Sequence, residues 1–182
     1  MFKNRIANPV VRSLVEWLLS FALAFLLFFV FRNYVFRLAN VTGSSMEPTL
    51  MHNDMVLLSR LSYRFASPEA GDIAAFPFKE NPSEFFIKRI IGLPGDEIDL
   101  VSQQFLINGE LLDDMFSRDV IFSVGDAQFP LIVPENCYFM LGDNRNGSKD
   151  SRFSSVGCIA KDEMVGKVVL RVWPLTGIGS IE

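Results

Sequence analysis

A mainly antiparallel β domain of barrel or sandwich type, preceded by one N-terminal transmembrane helix, is the fold class that this sequence predicts. Three observations carry it. An apolar run with a single charge fills residues 13–31. Beyond Asn40 the chain breaks into short apolar runs parted by Gly, Pro, Asn and Asp, and no later stretch sustains a 3.6-residue period. At 182 residues there is room for this helix and one domain of about 140–150 residues, large enough to bury a core.

The run from Ser13 to Phe31 reads SLVEWLLSFALAFLLFFVF, with Glu16 its only charge. A spanning helix needs about 17–25 mostly apolar residues, and Arg32 can snorkel at the far edge. The rival reading is a secretory signal peptide, which ends in small residues of the A-x-A kind. Here Phe31-Arg32-Asn33-Tyr34 follows, and Arg37 stands two residues before Ala39, so the run reads as a retained anchor. Lys3, Arg5 and Arg12 with the terminal amine, against Arg32 and Arg37 behind, put the N-terminus in the cytoplasm by the positive-inside rule. The expected organisation is therefore a cytoplasmic tail over 1–12, an anchor and flank over 13–37, and an outer-face domain over 38–182. Cys137 and Cys158 would then sit where disulfides persist; two unpaired thiols packed as small hydrophobes are the alternative.

Expected strands are Asp54–Arg60, Asp72–Phe78, Glu84–Ile91 and Glu97–Val101. Gln104–Ile107, Asn108-Gly109 and Glu110–Asp113 form a hairpin signal, since Asn-Gly suits the φ > 0 turn that strand twist demands. Val120–Val124, Tyr138–Leu141 and Lys167–Trp173 complete the set, with a turn of helix near Lys161–Met164. The sequence has no internal repeat and no low-complexity tract.

Composition narrows the function classes. The net charge is −4, and no Lys/Arg-rich run stands beside aromatic residues, which argues against a nucleic-acid partner. The lone histidine, His52, rules out a two-histidine metal site, so no metal or cofactor is expected. His52 follows Leu50-Met51 in a short polar link and reads as a surface residue.

Three segments could carry chemistry. Gly43-Ser44-Ser45-Met46-Glu47-Pro48-Thr49-Leu50 places a serine on a proline-stiffened turn beside a glycine that lets backbone come close; alone it is an ordinary loop. In Phe85-Phe86-Ile87-Lys88-Arg89-Ile90-Ile91-Gly92-Leu93-Pro94-Gly95-Asp96, strand alternation sets Phe86, Lys88 and Ile90 on one face. Lys88 there is either snorkelling at a sheet edge or buried with a lowered pKa, as a general base requires. Gly142-Asp143-Asn144-Arg145-Asn146-Gly147-Ser148-Lys149-Asp150-Ser151-Arg152 is a loop rich in hydrogen-bonding groups, in which Asp150 and Arg152 can pair.

Taken together and in this order, these segments resemble the boxes of the type I signal peptidases, the serine–lysine enzymes that remove signal peptides. The likeness runs from the anchor to about Trp173. It implies Ser45 as nucleophile and Lys88 as general base, with Ser148 helping to hold the lysine amine and Asp143, Arg89, Asp150 and Arg152 bracing the site. It implies an oxyanion site on the Ser45 backbone N–H, with the Gly43 backbone as the candidate second donor, because this chain has Gly43 where some members supply a serine hydroxyl two residues before the nucleophile. Many relatives have Asn where Gly147 stands, which implies a looser loop around Ser148. The family's preference for small residues before the cut implies shallow apolar pockets, for which Val41, Met46, Leu50, Phe86 and Ile87 are the candidates. The implied partners are preproteins, the lipid bilayer and, as a further candidate, the secretion translocon; the implied location is a bacterial inner membrane with the domain outside. A related Ser–Lys peptidase for conjugation or one dedicated substrate, and a non-catalytic membrane-anchored binding module, are the other readings.

Overall fold

The computed structural model describes residues 8–30, 34–113, 115, 116 and 120–181. Lys3, Arg5, Phe31 and Arg32, used above to orient and bound the anchor, lie outside them. The chain divides into two compact units, Met1–Phe36 and Arg37–Glu182.

The first unit holds helix α1, Pro9–Val30. It begins four residues ahead of the apolar run because Asn8 starts it: Asn8 Oδ1 accepts from the Val10 N–H at 3.0 Å, and Pro9 suits a first position whose N–H would be unpaired anyway. Glu16 is paired one turn on with Arg12 at 3.0 Å. Residues 9–29 are long and apolar enough to cross a membrane. At 1.5 Å per residue the helix spans about 33 Å, close to the hydrocarbon thickness of a bilayer.

The second unit is built from two antiparallel sheets. Its strands are β1 (Phe36–Asn40), β2 (Met55–Ser59), β3 (Ile73–Phe78), β4 (Asn81–Gly92), β5 (Glu97–Val101), β6 (Gln104–Ile107), β7 (Glu110–Leu111), β8 (Leu131–Ile132), β9 (Cys137–Leu141), β10 (Ile159–Ala160), β11 (Gly166–Trp173) and β12 (Gly179–Ser180). The larger sheet runs β1-β2-β11-β3-β4-β9-β10 with β12 on β11; the smaller runs β7-β6-β5-β8. One-turn helix α2, Ser62–Phe65, was not foreseen, and Lys161–Glu163 is a single 3₁₀ turn.

The long strand β4 is shared among three apolar clusters. Ile87 packs with Met46, Leu50 and Ala75, Ile90 and Phe86 with Phe76 and Met140, and Ile91 with Ile98 and Phe139. Each such buried side chain contributes about 1.5–3 kcal/mol. Asn108 and Gly109 both have positive φ, 53° and 81°, and Ile107 faces Glu110 across the predicted two-residue turn.

One expected strand is absent. Val120–Val124 is irregular, because side chains have taken its backbone groups: Asn146 Oδ1 accepts from the N–H groups of Phe122 and Ser123, Asn146 Nδ2 donates to Val120 O, and Arg152 Nη1 donates to Ser123 O. The Cys137–Cys158 bridge is also corrected. Both are free thiols, half-buried against the third cluster. With Ala160 opposite Cys137 and Ile159 opposite Tyr138, Cys158 falls diagonal to Cys137. Diagonal neighbours lie about 7–8 Å apart, beyond the Cα span of about 4.4–6.8 Å that a disulfide tolerates. Burial, with Cys137 close by and Lys79 opposing, raises the Cys158 thiol to about 11, which leaves little reactive thiolate.

Candidate active site

Ser45 sits in the turn between β1 and β2, and two neighbouring segments fix it. Asn144 holds it from one side: its backbone N–H donates to Ser45 O at 3.1 Å and its Nδ2 to Ser44 O at 3.2 Å. From below, Met46 and Leu50 anchor the turn in the first cluster at 2% and 0% exposure.

Strand β4 brings Lys88 to this turn. Its Nζ lies 2.7 Å from Ser45 Oγ and donates a second hydrogen bond to Ile87 O at 3.1 Å. The amine is also 5.0 Å from the centre of the Phe86 ring, which is itself stacked on Phe78 at 4.6 Å. Lys88 is 3% exposed, so it is buried rather than snorkelling at an edge. Desolvation disfavours the ammonium and lowers the pKa to about 8; Asp150 and Asp143 oppose that shift, and Arg152 adds to it.

Two buried ion pairs frame the Ser45–Lys88 contact. Arg89 grips Asp143 through Nε and Nη2, each at 2.9 Å, and donates through Nη1 to Gly71 O. Arg152 grips Asp150 through Nε at 2.7 Å and Nη2 at 2.8 Å, with both side chains fully buried. Each pair is bidentate, the geometry that best offsets desolvation. Asp150 Oδ2 also accepts from the Gly142 N–H, and Arg152 Nη2 donates to Ser148 O.

Four sequence expectations are revised here. The Ser148 hydroxyl does not hold the lysine amine: it is buried and without a hydrogen-bond partner among the described residues, while the amine is engaged by Ser45 and Ile87. The Gly43 N–H is not open to an oxyanion, because it donates to His52 Nδ1 at 3.1 Å; the Ser45 N–H makes no hydrogen bond among the described residues. Leu50 does not line the cavity beside the dyad but lies behind it as core. That cavity, about 860 Å³, is lined by Val41, Met46, Phe86 and Ile87, and also by Ala75, Phe85, Glu84 and Lys149. Gly147 is not a loosened hinge. A Cβ there would come within 2.6 Å of the Asn144 side chain, and its N–H donates to Asn144 Oδ1 at 3.0 Å.

Sequence reasoning missed Asn144, Thr49 and Asn146. Thr49 lies inside the first motif, and its role becomes visible only when Asp143 arrives beside it. A buried lysine amine 2.7 Å from a serine hydroxyl, an N–H on that serine unengaged among the described residues and an adjoining cavity together suit acyl transfer through a covalent intermediate.

Comparison with known proteins finds signal peptidases. A family model described as signal peptidase, peptidase S26, matches residues 14–173. The chain is 36% identical over 154 residues to a probable signal peptidase I-2 of Synechocystis, covering 81% of this chain and 68% of that one. It is 36% identical to signal peptidase I of Leptolyngbya laminosa, over 92% and 84% of the two chains. It is 32% identical to signal peptidase IB of Staphylococcus aureus, over 91% and 92%. A crystal structure of a signal peptidase I from Enterococcus faecalis aligns at TM-score 0.48 and 30% identity, covering 57% of this chain and 98% of that one.

Proposed function

This chain belongs to the signal peptidase family, peptidase S26, and from that membership we propose that it is a membrane-anchored endopeptidase that removes signal peptides from exported preproteins with a Ser45–Lys88 dyad. The observation that carries the reading is the 2.7 Å approach of a buried Lys88 amine to Ser45 Oγ. With its pKa near 8, a large share of the amine is neutral at mildly alkaline pH and can take a proton.

In the proposed reaction the neutral Lys88 amine takes the Ser45 proton as Oγ attacks the scissile carbonyl. The Ser45 N–H donates to the oxyanion that forms, an interaction typically worth about 2.7–4 kcal/mol. The tetrahedral adduct collapses as the Lys88 ammonium protonates the departing amine, which leaves the signal peptide esterified to Ser45. Lys88, neutral again, takes a proton from water as that water attacks the ester. The signal peptide leaves with a free carboxylate, and Ser45 recovers its proton. No cofactor takes part.

Val41, Met46 and Ile87 wall the cavity, so small side chains before the cut would fit and larger ones would meet wall atoms. Helix α1 would hold the enzyme in a bacterial inner membrane, N-terminus inside, where cleavage sites emerge. The preprotein, the bilayer and the translocon are then its partners. The test is cleavage of a preprotein in detergent. Ser45→Ala and Lys88→Ala should each lower turnover by about 10⁴-fold or more. Near wild-type turnover in either variant contradicts the dyad.

A further inference from the structure

His52 is the one histidine of the chain, and the proposed reaction makes no use of it. The turn that carries it is tightly built. Val41 N–H donates to Asp54 O at 2.8 Å and Asn53 N–H to Val41 O at 2.9 Å, so the start and end of residues 41–54 are locked together. Asp54 is buried, accepts from the Met51 N–H at 2.9 Å and is paired with Arg171 at 3.0 Å. This turn presents His52 Nδ1 to the Gly43 N–H at 3.1 Å.

That contact falls at the weak point of the nucleophile loop. Val41 is fixed by its two backbone bonds, and Ser44 and Ser45 are fixed through their carbonyls by Asn144. Between them, the Gly43–His52 bond is the single hydrogen bond made by Thr42 or Gly43 among the described residues. Gly43 has φ +90° and nothing within 4 Å of where a Cβ would stand. Neither a side chain nor packing selects its conformation, and glycine has more conformations to choose from than any other residue.

We propose that His52 is a positioning residue for the reaction: its Nδ1 acceptor captures the Gly43 N–H, sets the backbone two residues before Ser45, and leaves the Ser45 N–H as the backbone donor to the oxyanion. The inference rests on the peptidase reading above for its kinetic consequence and on the Gly43–His52 contact alone for its structural one. The neutral imidazole carries its proton on Nε2, because Nδ1 must accept.

The distinguishing variants are His52→Phe, which keeps a ring but no acceptor, and His52→Asn, whose Oδ1 branches from Cγ as Nδ1 does. With the full chain in detergent and a preprotein substrate, His52→Phe should lower kcat about 3- to 10-fold, the rate equivalent of one neutral hydrogen bond, with KM little changed. His52→Asn should restore most of the loss. In a Ser45→Ala background, exchange of the Gly43 amide with solvent deuterium should quicken in His52→Phe and return in His52→Asn. This arm holds whether or not the chain cleaves preproteins. Wild-type kcat in His52→Phe, a loss confined to KM, equal loss in both variants, or Gly43 exchange unaffected by either overturns the proposal.

Discussion

Thr49 Oγ1 donates a 2.5 Å hydrogen bond to Asp143 Oδ2, joining positions 94 residues apart in the chain. The same carboxylate accepts twice from Arg89, the neighbour of Lys88. One buried aspartate therefore fastens the Ser45 turn, the Lys88 strand and the third-motif loop to one another. A Ser45–Lys88 separation held on three separate segments depends on such a joint.

Removing that joint should be costly. Asp143→Ala leaves the Arg89 guanidinium, 7% exposed, without its carboxylate. Losing one partner of a buried pair typically costs about 3–5 kcal/mol, and the denaturation midpoint of the full chain in detergent should fall accordingly. Peptidase activity should fall with it, including under conditions where the variant is still folded, because Thr49 loses its acceptor.

Gly142→Ala tests the closeness of the same segments. A Cβ at Gly142 would lie 2.2 Å from Ser148 Oγ and 2.4 Å from Ser45 O. The second of these is backbone of Ser45, the proposed nucleophile, so relief requires Ser45 to move. A shift of about 1 Å there can cost about 10²-fold in rate, and a loss of at least that size in kcat is expected from single-turnover measurements.

Lys88→Met should uncouple stability from activity. The folded-state pKa of Lys88 lies near 8, against 10.5 in the unfolded chain. The unfolded state thus binds more protons between those values. The burial penalty is complete below pH 8 and fades as pH rises from 8 to 10.5, and by linkage it amounts to about 2–4 kcal/mol. Near pH 7 the methionine variant should be inactive yet more stable than wild type by an amount of that order. The gap should shrink on titration toward pH 10.5, as read from denaturant midpoints.

The fold was legible where local chemistry decides it. The Asn108-Gly109 turn and its flanking strands follow from two positive-φ positions between alternating runs. Val120–Val124 has a strand-like composition, yet strand formation needs a partner edge, and Asn146 and Arg152 reached its backbone first. β1 was hidden for the opposite reason: a segment flanked by the apolar run becomes a strand because β2 offers it an edge. In the site, the family resemblance singled out Ser45 and Lys88, whereas strand alternation alone left Lys88 open between a sheet edge and burial. The grip of Asn144 on Ser44 and of Thr49 on Asp143 could not be read, since each is a contact across roughly a hundred residues. Ser148 shows the limit from the other side: the resemblance named the residue, but its hydroxyl is not bonded to the amine.

The proposed selectivity can be tested at the cavity walls. A preprotein with alanine just before the cut should be processed, and one with phenylalanine there should be resistant by about 10²-fold or more in kcat/KM, since even one methylene can set about 10–200-fold. Equal rates for the two would contradict an apolar wall built by Val41, Met46 and Ile87.

The most direct test of the dyad is the titration of Lys88 itself, followed by the NMR shift of its labelled side chain in the full chain in detergent. A buried amine facing Ser45 should titrate with a midpoint near 8, and kcat/KM should rise with pH through the same midpoint. A midpoint near 10.5, with activity indifferent to pH around 8, would mean that the amine is a solvated ammonium and would contradict the mechanism.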